Sequence, residues 1–286
     1  MSKLRSLLIN REIIELNPSQ NKLVESGWGT DSLNNSIVEK ITYISDGLKV
    51  KGYLAYPKNP TGKYPCIIWN RGGYDDNGAI DSFTAKGIFG QLASWGYVVF
   101  ASQYRGNAGD EGKDEFGGEG VNDVLNLMPL AEEIDFADSE KWGIEGWSRG
   151  GMMTYLALTK NHNFKCAITL GGISNLRCNS DESHFMRKLY EITLGNYSNE
   201  DFKRKCESRS IVNFPEKLSS NTPILILHGN DDKRVLPHDS IDLSYHLLRL
   251  NIPFRLVMLE GGDHFMRKHR QEVDEMRKNW YEKHLG

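Results

Sequence analysis

The chain has 286 residues, with 35 Lys and Arg against 38 Asp and Glu, for a formal net charge of −3; 39% of its residues are hydrophobic and 26% charged. At about 150 residues per domain this allows one or two domains of an ordinary globular protein, neither disordered nor fibrous. A near-neutral balance without a basic cluster argues against nucleic acid as the main partner and favours a small, weakly charged substrate.

Residues 1–36 are polar, rich in Asn, Ser and Glu, and lack sustained periodicity, which predicts a loosely packed arm or a single helix followed by irregular chain. The run Leu7-Leu8-Ile9 is interrupted at once by Asn10, Arg11 and Glu12, too soon for a secretory signal. No stretch reaches the roughly 18 apolar residues of a membrane helix, so a cytoplasmic protein without a membrane partner is expected. From Val38 the pattern turns to apolar/polar alternation on both sides of Asp46-Gly47, which predicts a hairpin.

After Pro57, strand and helix signals alternate. Buried strands are predicted at 65–69, 97–101, 142–146, 166–170, 224–227 and 254–259, and helices at 82–95, 120–134, 149–159, 240–250 and 267–284. Such repetition implies an α/β fold, a mostly parallel twisted sheet with helices on both faces and the antiparallel hairpin at one edge. Residues 174–221 hold no clear strand and are too long for a plain loop; they predict a helical insertion over the carboxyl edge of the sheet, where open α/β sheets place ligands.

The most specific chemical signal is Gly146-Trp147-Ser148-Arg149-Gly150, a G-x-S-x-G between a predicted strand and a predicted helix. That turn is sharp and strained, and the glycines let strand and helix approach while the serine hydroxyl stays exposed. A serine hydroxyl needs a base and a group to orient it, which follow in the order Ser, acid, His on this scaffold. Asp231 and Asp232 come just after one predicted strand and His264 after the next. His269 falls within a solvated basic run and His228 reads as a turn-stabilising residue. The two aspartates remain alternatives on spacing alone.

An oxyanion needs two donors. The Arg149 N–H, directly after the serine, supplies one; Gly73, in Asn70-Arg71-Gly72-Gly73-Tyr74, is chosen for the other. Arg71, Tyr74 and Trp147 are read as substrate-binding, with an ion pair to an acid such as Asp75 an equal alternative for the Arg71 side chain. Cys66, Cys166, Cys178 and Cys206 match no zinc or redox spacing, and no metal- or nucleotide-binding motif is present, so no cofactor is expected.

From about Lys63 onward the chain resembles the catalytic domain of the prolyl oligopeptidase family of α/β hydrolases. The resemblance rests on Gln103-Tyr104-Arg105-Gly106, Gly146-Trp147-Ser148-Arg149-Gly150-Gly151, His228-Gly229-Asn230-Asp231-Asp232-Lys233-Arg234-Val235 and Gly262-Asp263-His264. The family's H-G-x-x-D-x-x-V pattern implies Asp232 as the acid, Ser148 as the nucleophile and His264 as the base. Many relatives carry a β-propeller before the catalytic domain; about sixty residues precede it here, so propeller-based size selection is not expected. The paired glutamates that hold a substrate amino terminus in dipeptidyl peptidases are not found.

Together these readings predict an arm over residues 1–36 and an α/β-hydrolase catalytic domain over 37–286. Its expected activity is acyl transfer from an ester or amide, with small esters slightly favoured. The alternatives are a prolyl-oligopeptidase-like aminopeptidase acting on short peptides and a catalytically silent binding fold. The oligomeric state is not legible.

Overall fold

A computed structural model of the chain describes residues 6–160 and 162–286; residues 1–5 of the expected arm lie outside them. In chain order the elements are β1 (Leu8–Ile13), α1 (Pro18–Trp28), α2 (Asp31–Asn34), β2 (Ser36–Ser45), β3 (Leu48–Pro57), β4 (Tyr64–Asn70), α3 (Ser82–Thr84), α4 (Gly90–Ser94), β5 (Val98–Ser102) and α5 (Gly120–Leu125). They continue with β6 (Ala137–Trp147), α6 (Arg149–Leu158), β7 (Phe164–Leu170), α7 (Leu176–Glu182), α8 (His184–Leu194), α9 (Glu200–Glu207), β8 (Ile224–Gly229), α10 (His238–Arg249), β9 (Phe254–Leu259) and α11 (Arg270–Leu285).

One compact unit takes residues up to Trp69, Asp75–Asp114 and Asn122–Trp142. Its strands lie in the order β1-β2-β3-β5-β4. The β1–β2, β2–β3 and β3–β5 pairs are antiparallel. The hairpin turn falls on Asp46 (φ 49°) and Gly47 (φ 83°), between the paired Ser45 and Leu48. Two positive φ values in a two-residue turn match the twist of the flanking strands. Residues 8–13, read from the sequence as part of an irregular arm, instead pair with β2. Their polar residues are exposed, so no alternation marks the strand. Asn17 then caps α1, accepting the Gln20 N–H at 2.9 Å while its own N–H donates to Gln20 Oε1 at 3.2 Å. In this unit Arg105 serves structure: its guanidinium donates to the fully buried Asp123 at 2.8–3.1 Å and to Asp46 at 2.7 Å.

The other unit takes Asn70–Tyr74, Glu115–Val121 and Gly143–Gly286. Its strands follow the order β6-β7-β8-β9, with β7–β8 and β8–β9 parallel. Helices α6 and α11 pack on β7, and α10 packs on β9. The predicted insertion is helical, formed by α7, α8, α9 and two short 3₁₀ turns. Its start is held by Asp239 on α10, which accepts the N–H groups of Ser174 and Asn175 and the Asn179 amide at 2.6, 3.1 and 2.7 Å. Burial pushes the Asp239 carboxyl up to about 7, against the pull of those donors. Glu145 on β6 is buried in an ion pair with Arg277 at 2.8 Å and accepts the Tyr281 hydroxyl at 2.8 Å, which anchors α11. All four cysteines are free. Among the described residues no helix is long and apolar enough to cross a membrane.

Candidate active site

Every residue expected in the site belongs to the second unit. Strand β6 ends at Trp147 and α6 begins at Arg149, so Ser148 alone makes the turn, at φ 58° and ψ −123°. Positive φ costs a residue with a Cβ about 1–3 kcal/mol and persists only where surroundings over-determine it. Here the Ser148 N–H donates to Leu170 O at 2.9 Å, and its carbonyl accepts Gly151 N at 2.9 Å and Ile173 N at 3.3 Å. The glycines are steric requirements. A Cβ at Gly146 would overlap the Gly150 carbonyl, and one at Gly150 would overlap Asn70 O.

The two adjacent aspartates part company. Asp231 is exposed and pairs with Lys233 at 2.5 Å, whereas Asp232 is 1% exposed. Asp232 Oδ1 accepts the N–H groups of Arg234 (2.8 Å) and Val235 (3.0 Å), and Oδ2 lies 2.6 Å from His264 Nδ1. His228 is fully buried; its ring bonds Ser240 Oγ at 2.6 Å and Val235 O at 3.0 Å, with Nε2 3.5 Å from Asp232. It therefore pins the turn that presents the acid. Burial works to raise the Asp232 carboxyl, but hydrogen bonds with His228 and His264, the charge of His264 and the Arg234 N–H outweigh it and hold the group well below the usual carboxylate range. The β7–α7 connection passes beside the pair, since a Cβ on Gly171 would stand 3.3 Å from Asp232 Oδ2 and 3.6 Å from His264 Nδ1. His269 sits apart, bonded to Glu272 and to Glu260 O.

The Asn70–Tyr74 segment meets the elbow closely. A Cβ on Gly72 would lie 3.0 Å from Trp147 O and 3.8 Å from Ser148 Oγ. Gly73 has φ 72°, and its carbonyl accepts Arg149 Nη1 at 3.3 Å. The Arg149 guanidinium is buried and stacks 4.6 Å from the Phe116 ring centre. Arg71, read from the sequence as facing substrate or an acid, is 1% exposed, and its Nη1 donates to Gly72 O at 3.2 Å. Tyr74 is half-buried. Trp147, also read as substrate-facing, is half-buried against the histidine loop: its Nε1 donates to His264 O at 3.0 Å, and the two rings lie 5.4 Å apart at 31°. Nothing in the spacing foretold that contact, although an indole directly before the serine was its one signal. The rim carries Phe185 from α8 and Phe265, with the Arg234 guanidinium 5.6 and 4.8 Å from their ring centres.

A serine at a strained elbow after β6 and a buried carboxylate–imidazole pair after β8 and β9 are the residue types that an acyl-transfer centre uses. The model of the prolyl oligopeptidase family matches residues 85–286. A Bacillus subtilis relative, the uncharacterized peptidase YtmA, is 32% identical over 74% of this chain and 80% of its own length. Another from the same organism, the uncharacterized peptidase YuxL, is 28% identical over 99% of this chain but 44% of its own. Among solved structures, an acylaminoacyl peptidase of Pyrococcus horikoshii superposes with a TM-score of 0.76 at 23% identity, over 93% of this chain and 43% of that one. The chain thus spans under half the length of the latter two, and the shared fold is the α/β-hydrolase fold.

Proposed function

The chain belongs to the prolyl oligopeptidase family and is a serine hydrolase, and from that premise we propose that it is a serine peptidase acting on short peptides. Ser148 Oγ attacks the scissile carbonyl while His264 Nε2 takes its proton. His264 then returns that proton to the departing amine, leaving an acyl ester on Ser148 that water hydrolyses by the same route. Asp232 keeps Nδ1 protonated and stabilises the imidazolium. The N–H groups of Arg149 and Gly73 receive the oxyanion. The observation that carries the reading is the 2.6 Å bond between His264 Nδ1 and the buried Asp232, which leaves Nε2 as the basic nitrogen.

The lean toward small esters gives way here to the peptide reading. YtmA, YuxL and the Pyrococcus horikoshii protein all bear peptidase names, and the peptide reading, given second place on sequence, now leads. The ester lean rests on the harder chemistry of amide cleavage and on finding neither a propeller nor an amino-terminus anchor; neither feature is needed for a short peptide with a blocked or ungripped terminus. A panel of N-acyl-aminoacyl, aminoacyl and dipeptidyl p-nitroanilides against p-nitrophenyl acetate, with Ser148→Ala as the background, tests the proposal. Turnover of at least one anilide class that vanishes in Ser148→Ala is expected. Ester turnover with every anilide inert would overturn it.

A further inference from the structure

We propose that Trp147 is a positioning residue that couples the nucleophile to its base, rather than part of the substrate pocket; the inference rests on the Ser148–His264–Asp232 reading. Trp147 is covalently next to Ser148, so its backbone moves with the elbow. Its indole has a single donor, Nε1–H, and that donor is committed to the main-chain carbonyl of His264 at 3.0 Å. The indole also lies 5.4 Å from the imidazole at 31° and meets Phe265 edge-on at 5.1 Å. One side chain thus grips the histidine by its backbone, its ring and its neighbour.

The loop needs such a tie. It contains Met266 in the left-handed region at φ 51°, and its local bonds include Met266 N–H to Asp263 O at 3.0 Å, the Asp263 carboxylate accepting the Phe265 and Arg267 N–H groups at 3.2 Å, and His269 bonded to Glu260 O at 2.9 Å. Those bonds shape the loop internally or tie it to its own stem, while Asp231 N–H to Gly262 O at 3.0 Å and His264 Nδ1 to Asp232 at 2.6 Å join it to the turn after β8. The Trp147 bond fixes it to the elbow, and proton transfer from Ser148 to His264 depends on that relation.

The test compares Trp147→Phe, which keeps a ring and deletes the N–H, with Trp147→Leu, which removes both. It reads kcat and KM on a peptide anilide and the rate of inactivation by diisopropyl fluorophosphate. That reagent phosphorylates Ser148 with His264 as base and releases fluoride, yet it is too small to report on peptide subsites. The Phe variant should lose about 3- to 10-fold in kcat, with KM within about twofold and the inactivation rate reduced in step. The Leu variant should lose more. The far-downfield proton resonance of His264 Nδ1–H should broaden in the Phe variant at unchanged thermal stability. A raised KM with an unchanged inactivation rate would instead make Trp147 a substrate contact and overturn the proposal, as would two variants that behave as wild type. Inactivation that persists in Ser148→Ala, or fails in wild type, would overturn the underlying triad reading. If Trp147→Leu does not fold, the Phe variant carries the test.

Discussion

Replacing Asp232 by Asn, with Asp231→Asn as its twin, probes the site through one atom. In the native pair, Oδ1 accepts two backbone N–H groups, from Arg234 and Val235, and Oδ2 faces His264 Nδ1. An amide at 232 must keep its oxygen toward the two N–H groups, because an NH₂ there would oppose two donors. Its NH₂ then faces Nδ1 and donates to it. The imidazole is driven into the tautomer with its proton on Nε2, which cannot accept from Ser148. The loss expected from that wrong tautomer is about 10³–10⁴ in kcat, or about 4–5.5 kcal/mol of transition-state stabilisation at 1.36 kcal/mol per tenfold. Asp231 is exposed beside Lys233, so its amide should stay within about twofold. Steady-state kinetics on the best anilide, with each variant's melting curve recorded, supply the comparison. Retention of more than a tenth of wild-type kcat by Asp232→Asn, or an equal loss in Asp231→Asn, would refute the assignment.

Gly171→Ala should lower stability by about 1–2 kcal/mol, since φ is +50° there. It should also cut kcat, because the methyl would stand 3.3 Å from Asp232 Oδ2; chemical denaturation and kinetics on one preparation check both, and an unchanged kcat would count against that crowding. Arg277→Met strands the buried Glu145 carboxylate, and a cost of about 3–5 kcal/mol is expected by urea titration, partly recovered by adding Glu145→Gln. The acid limb of stability follows from Asp232, whose folded carboxyl is held below its ordinary value. The unfolded chain then binds the proton more readily, so this stabilisation is complete above about pH 4 and is lost as the pH falls further. The difference in urea midpoint between wild type and Asp232→Asn should therefore shrink between pH 5 and about pH 3; a constant difference would contradict it.

The elbow could be read in the sequence because steric necessity writes it in glycine: Gly146 and Gly150 stand where a Cβ would overlap Gly150 O and Asn70 O. The hairpin was equally visible, since a turn with two positive φ values calls for Asp46-Gly47. Burial was harder to see. Asp231 and Asp232 are the same letter twice, and only the fold puts one against Lys233 and the other under His264. Arg71 reads as a substrate contact or the partner of an acid such as Asp75, yet it is 1% exposed. Strand β1 escaped detection because Asn10, Arg11 and Glu12 are exposed along it, leaving pairing to β2 as its sole mark. The helix read over residues 82–95 is interrupted by a π turn at Ala85–Phe89, where Gly87 lies so close to the Trp28 indole that a Cβ would come within 2.5 Å of the ring. Trp147 kept its contact hidden for a related reason: its partner is 117 positions away.

The central claim, that Ser148 is the nucleophile of a serine hydrolase, meets its most direct test in mass spectrometry of the protein after reaction with a fluorophosphonate. Trypsin cuts after Lys141 and Arg149, and the peptide between them, Trp142–Arg149, holds Ser148 as its one serine. A single adduct on that peptide, lost when His264 is replaced by Ala, is the predicted result. An adduct on any other peptide, or none on an enzyme that still turns over its substrate, would contradict the account.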